Sequence, residues 1–176
     1  MIRPYRNDDL QSVCAIINDA ATAYKGVIPD DCWHDPYMPM DELQREVAVM
    51  TFHGFEEDSR LVGVIGYQPL EDVTLLRHLY VETARQRCGF GSELLRHVVG
   101  LTATPRLLVG MWADAAWAVR FYQRHGFSLL PDGDRLLRTY WTIPARQREA
   151  SLVMEREVRL EPRGLPKRRI SAILHP

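Results

Sequence analysis

The chain has 176 residues, 46% of them hydrophobic and 26% charged, the size and composition of one soluble domain with a core of its own. A net charge of −1 offers no basic field for nucleic acid or an anionic lipid surface, so small-molecule chemistry is favoured. Cys14, Cys32 and Cys88 are odd in number and form neither a Cys-x-x-Cys pair nor a Cys/His cluster, which argues against a disulfide framework or a zinc site and fits a reducing cytoplasm.

The first residues, MIRPYRNDDL, lack the apolar centre of a signal peptide, and no run approaches the roughly 20 apolar residues that span a bilayer. Residues 2–5 read as a short strand, with Pro4 marking an edge or a kink. Asn7 or Asp8 is the expected cap of a helix running to Tyr24, because Leu10, Val13, Ile16, Ile17, Ala20 and Ala21 recur at helical spacing. Residues 24–40, YKGVIPDDCWHDPYMPM, have no period and are rich in proline and aromatic rings. A connection of that length in a small domain is more often functional than not. Tyr24, Trp33, His34 and Tyr37 are its candidate cleft walls, with fastening of the loop to the core as the alternative. Its three aspartates, Asp30, Asp31 and Asp35, read as solubilising. Residues 41–50 form a second helix with Leu43, Val47 and Met50 inward.

Strands follow at 51–56 and 61–68 across the polar turn 57–60. The second is apolar nearly throughout, as a strand covered on both faces should be, and Gly63 and Gly66 mark a bulge or a close backbone approach. A turn at 69–72 leads into a strand at 73–81.

Residues 79–99, LYVETARQRCGFGSELLRHVV, then combine a strand end, a polar connection, two glycines, and Phe90, Leu94, Leu95, Val98 and Val99 at helical spacing. The first turn of that helix carries N–H groups without intrahelical partners and about half a positive charge. An anion fits there. Gly89 and Gly91 lack a Cβ, so a diphosphate can approach the main chain, and Ser92 adds a hydroxyl. A tight turn that binds nothing is the other reading. A dinucleotide fingerprint lacks its third glycine, and a P-loop needs Gly-Lys-Ser/Thr where the chain has Gly91-Ser92-Glu93.

Residues 106–112 are another buried strand. Asp114 is the expected cap of a helix over 115–125, and Gly126 sits where a left-handed terminus belongs. Residues 127–130 begin a strand, 134–140 are helical, 141–147 read as a proline-containing turn, and 149–158 as a last strand. The domain is thus expected to span 1–158. From Arg159 the chain has few core residues and reads as a loose tail, 159–176, whose Lys167-Arg168-Arg169 is the one feature that pulls toward nucleic acid.

Gln86-Arg87-Cys88-Gly89-Phe90-Gly91, preceded by Leu79-Tyr80-Val81, resembles the acyl-CoA binding motif of the GNAT superfamily of N-acetyltransferases, Gln/Arg-x-x-Gly-x-Gly/Ala after a strand ending in Leu-x-Val. Ala118-Val119-Arg120-Phe121-Tyr122-Gln123-Arg124-His125-Gly126-Phe127 resembles the second signature, Ala-x-x-Phe-Tyr-x-x-x-Gly-Phe, at the separation that the family uses. Thr83 stands where proline is frequent, Arg87 where glycine is frequent, and Ala115 where asparagine is frequent, which removes one polar contact near the cofactor. The resemblance covers 2–158. It implies an α/β (α+β) fold of three layers, with a mixed central sheet of six to seven strands splayed between the fourth and fifth and helices on both faces. The pantetheine arm of acetyl-CoA would enter the gap.

By the same resemblance acetyl-CoA is the acyl donor, with no metal, held by Leu79, Tyr80, Val81, Gln86, Arg87, Cys88, Gly89, Phe90, Gly91 and Ser92 together with Tyr122. The expected reaction moves the acetyl (acyl) group to a primary amine of a small molecule or peptide. An ammonium with a pKa of about 10.4 must first lose a proton. The carbonyl oxygen needs fixed N–H donors, which the resemblance puts on the main chain at 79–81, and the leaving thiolate needs an acid, for which Tyr122 matches the family tyrosine. His78, with an ordinary pKa of about 6.5, is the candidate base; Asp114, Asp72 and His34 are lesser candidates, and a water chain with no dedicated base stays open. A non-catalytic acyl-CoA sensor of the same fold is the rival reading. No membrane partner is expected, and a homodimer is left open.

Overall fold

The computed structural model describes residues 1–159; the tail expected beyond them, 160–176, lies outside the described residues. Seven strands form one sheet in the order β1-β2-β3-β4-β5-β7-β6. β1 (Ile2–Pro4), β2 (Thr51–Glu57), β3 (Arg60–Pro69) and β4 (Val73–Val81) run antiparallel to one another. β5 (Arg106–Trp112) is parallel to β4, and β7 (Ser151–Glu157) returns antiparallel along β5 with the short β6 (Ser128–Leu129) outside it. The sheet is therefore mixed, as expected. Asp58 and Ser59, at φ 50° and 62°, close the β2–β3 hairpin, because two left-handed residues give the turn the twist of the flanking strands.

Helices cover both faces. α1 (Leu10–Ala21) and α2 (Met40–Val49) bury Val13, Ile16, Ile17 and Leu43 against Phe52, Leu61 and Val64. On the opposite face α3 (Phe90–Leu101) and α4 (Ala116–Arg124) bury Leu94, Leu95, Val98 and Tyr122 against Val62, Ile65, Leu76, Leu107 and Val109. Side chains alternate along a strand, so Leu75, next to Leu76, packs instead with Leu136 and Leu137 of α5 (Gly133–Tyr140). Leu95 is fully buried; truncating such a leucine to alanine costs about 2–5 kcal/mol. No helix among the described residues is long and apolar enough to cross a membrane.

Several local expectations are corrected. A 3-10 turn, Asn7–Asp9, precedes α1, and the capping carboxylate is Asp9, which accepts the Arg6 N–H at 2.7 Å and pairs with both guanidinium nitrogens of Arg3. Asp9 is also the cap residue of α1, though its side chain makes no bond to that helix's own N–H groups. Asp114 caps nothing by its side chain: Ala115 is the cap residue of α4. Residues 141–147 are not simply a turn, since a short helix, α6 (Ala145–Glu149), begins directly after Pro144. Proline breaks a helix only from within and is tolerated at its start. Gly126 has the expected left-handed φ of 81°.

The bulge falls in β4. Val64 pairs with Tyr80 but Gly66 pairs with Arg77, so His78 and Leu79 together face the single residue Ile65. His78 takes φ 53°, a conformation rare outside glycine. A second bulge falls in β3 beside Gly63, since Phe55 pairs with Gly63 but Glu56 with Leu61, and Gly66 marks close approach, since a Cβ there would stand 3.0 Å from the Phe52 ring.

Candidate active site

β4 and β5 pair only from Val73–Arg106 to Leu76–Val109. Beyond that, β4 stays with β3 to Val81 and β5 stays with β7 to Trp112. The sheet opens between its fourth and fifth strands, and among the described residues no strand lies against the β5-facing edge of β4 past Leu76. A cavity of about 180 Å³ occupies the opening, lined by Arg77, His78, Leu79 and Tyr80 of β4 and Val109 to Trp112 of β5, with Tyr122 on one side and Tyr24 and Tyr37 on another.

The bulge turns His78 toward α2. Its Nε2 lies 3.1 Å from Glu46 Oε2, while Arg77 donates to Glu46 Oε1 at 3.4 Å. Burial pushes the Glu46 carboxyl up, but the His78 hydrogen bond and the charges of Arg77, His78 and Arg45 outweigh it and leave the group below its ordinary range. An ionised carboxylate only accepts, so Nε2 is the protonated nitrogen that donates to it. The ring also stacks on Phe52, centroids 5.6 Å apart. Glu46 and His78 together form an oriented imidazole at the wall of the opening.

Tyr122 is buried between Phe121 and Phe127, each at a centroid distance of 5.2 Å. Burial pushes its phenol well above the ordinary range, so the O–H is present at any physiological pH and available as a donor. Tyr24, Tyr37 and Tyr80 are shifted the same way for the same reason. Their hydroxyls gather around Tyr80, and Trp112 Nε1 donates to Tyr37 Oη at 2.8 Å.

The glycine loop stands at the end of β4. Gln86 Nε2 donates to Val81 O at 3.2 Å and pins the loop there. Arg87 (φ 65°) and Gly89 (φ 89°) are both left-handed, and Gly89 caps α3. The first bond of the helix runs from Glu93 N–H to Gly89 O, so among the described residues the N–H groups of Phe90, Gly91 and Ser92 have no backbone acceptor. A Cβ at Gly89 would meet nothing within 4 Å, and one at Gly91 would lie 3.7 Å from Phe121 and Val81. Open space beside unpartnered amides is what a phosphate requires.

The remaining expected residues fall apart from the cavity. Trp33 stacks on Tyr37 from outside, at 5.8 Å, and His34 is exposed, its Nδ1 2.9 Å from Pro36 O. Asp31 is taken by Arg146 at 2.9 Å. Asp72 lies near Arg106 and Tyr140, and neither it nor Asp114 lines the cavity. The sequence reading missed Glu46 and Arg77, although Glu46 follows Leu43 by three positions and so shares its inward helix face. It also missed Trp112, Trp141 and Ile143, which line the same cavity. No group of three or more potential metal-binding side chains occurs among the described residues.

A mixed sheet opened between its fourth and fifth strands, with an amide-rich glycine loop at the opening, is the architecture of the acyl-CoA acetyltransferases. Residues 50–129 match the family model described as an acetyltransferase (GNAT) domain. The fold resembles PaiA N-acetyltransferase of Thermoplasma acidophilum in complex with coenzyme A (TM-score 0.70, 17% identity, covering 89% of this chain and 98% of that one). It also resembles a GNAT family acetyltransferase of Elizabethkingia anophelis with acetyl-CoA bound (TM-score 0.60, 15% identity, 89% and 97% covered). A third likeness is the ribosomal-protein-S18-alanine N-acetyltransferase of Escherichia coli (TM-score 0.62, 16% identity, 94% and 97% covered). At such identities the likeness is one of fold. No curated protein matches the sequence.

Proposed function

We propose that this protein transfers the acetyl group of acetyl-CoA to a primary amine by direct attack of the amine on the thioester. The observation that carries the reading is the parting of β4 from β5 next to the unpartnered amides of Phe90, Gly91 and Ser92. These residues fit the donor: the amides and the space at Gly89 suit its diphosphate, and the free edge of β4 suits its extended arm. Bound acetyl-CoA supplies a thioester already activated toward amines. The chain's own groups do the rest. Main-chain amides on the free edge of β4 face the charge that develops on the carbonyl oxygen. His78 Nδ1, with its ring held by Glu46, takes the proton from the incoming ammonium. Tyr122 donates to the departing sulfur; its high pKa makes it a firm hydrogen-bond donor rather than a strong acid.

Release of free thiol from acetyl-CoA over a broad panel of amines tests the reading, and amine-dependent release with formation of the acetylated amine is the expected result. Saturable binding of acetyl-CoA without release on any amine would assign the domain to sensing instead.

A further inference from the structure

We propose that the acceptor is a small monoamine carried on an apolar, aromatic body, an inference that rests on the acyl-transfer reading above. The cavity runs through the sheet. Leu79 and Tyr122 belong to the core beneath α3 and α4, the side on which the glycine loop stands. Tyr37 and Tyr80 pack with the α1–α2 face, and Trp141 and Ile143 pack beneath α5. A donor arriving from the loop side leaves the second chamber to the acceptor.

Aromatic side chains make up much of that chamber's wall. Tyr24, Tyr37, Tyr80 and Trp141 line it together with Ile143. The Trp141 indole packs close on β5 at Gly110, where a Cβ would come within 3.3 Å of it. Such walls suit an aromatic body.

The charges exclude the other amine classes. Among the described residues no aspartate or glutamate lines the cavity, and its cationic Arg77 and its His78 imidazole both face Glu46, at 3.4 and 3.1 Å. A polyamine or an aminoglycoside would bring further ammonium groups out of water with no carboxylate to receive them, and Arg77 would repel them. Asp31 on the nearby loop is held by Arg146. An α-amino acid would have to pull Arg77 away from Glu46 to pair its carboxylate. One amine is the number that the chamber can serve, by loss of its proton to His78.

The test compares kcat/KM of the full-length chain for 2-phenylethylamine, spermidine and glycine at saturating acetyl-CoA. The expected result is an advantage of about tenfold or more for 2-phenylethylamine over each of the others. In a folded Trp141→Glu variant that advantage over spermidine shrinks by about tenfold. Equal or better use of spermidine or glycine by the wild-type chain overturns the acceptor class while leaving acyl transfer intact. Acetyl-CoA binding with no amine consumed overturns both, so the two failures are told apart by whether any acetylated amine forms.

Discussion

A phenol kept from water is a poor acid but a lasting hydrogen-bond donor, and Tyr122 is placed to be one, buried on α4 at the wall of the opening. Its partner is expected only during turnover, so Tyr122→Phe should lower kcat by about 10²-fold while the KM for acetyl-CoA moves by about twofold or less, a split that steady-state kinetics reads directly. Equal kcat in the variant would remove the hydroxyl from the reaction. A second buried titratable group lies far from the chemistry. His53 on β2 is 8% exposed, its ring centroid is 4.7 Å from that of His97 on α3, and its Nδ1 has no partner. Burial first, and then His97, hold its pKa below 6.5. The unfolded chain therefore takes up this proton at a higher pH than the folded chain does. The contribution to stability is whole above about pH 7 and is lost as pH falls through about 6.5 toward the folded value. His53→Phe should make the urea midpoint less sensitive to pH between about 7.5 and 5 than it is in the wild type; an unchanged slope would show that the ring titrates as freely folded as unfolded.

At the scale of elements, the proposed function makes the glycine loop and α3 one anion socket. Gly89 holds φ 89°, and a β-branched residue there is strained and also sends atoms into the open space beside the helix amides. Gly89→Val should weaken acetyl-CoA binding by about tenfold or more, the worth of one lost hydrogen bond to a charged group, as measured by titration calorimetry on a variant whose far-ultraviolet dichroism is unchanged. Retained affinity would move the diphosphate elsewhere. These elements were legible because their signals are local: the apolar spacing of α3, the paired glycines, and the Ala-x-x-Phe-Tyr run that became α4. The stretch 141–149 before β7 was not, because Pro144 reads equally well as the end of one helix or the start of the next. Its consequence is large, since that segment brings Trp141 and Ile143 to the cavity.

At the scale of the whole molecule, what escaped the sequence is what long-range packing assembles. Glu46 reaches His78 across 32 residues, and Tyr37 reaches Trp112 across 75; no periodicity couples such positions. The bulge compounds this, because strict alternation along β4 misplaces everything after Arg77. His78 could be picked out as a histidine near the strand end, but its carboxylate partner and its unusual backbone could not. The choice of Tyr24 and Tyr37 over Trp33 and His34 as cavity walls likewise depends on where the irregular connection settles on β5 and α4.

The short ladder between β4 and β5 has a mechanical consequence. Four register pairs, Val73–Arg106 to Leu76–Val109, stitch the two half-sheets together, so a molecule lodged past the last stitch would act as a keystone between them. Saturation at about a hundred times Kd would add about 2.7 kcal/mol to the folded state and raise Tm by about 5–10 °C for a domain of this size. Calorimetric scans with and without acetyl-CoA measure that rise, and slower amide exchange at Gly110 and Met111 should accompany it. A melting temperature indifferent to the donor would mean that the two halves are already clamped without it.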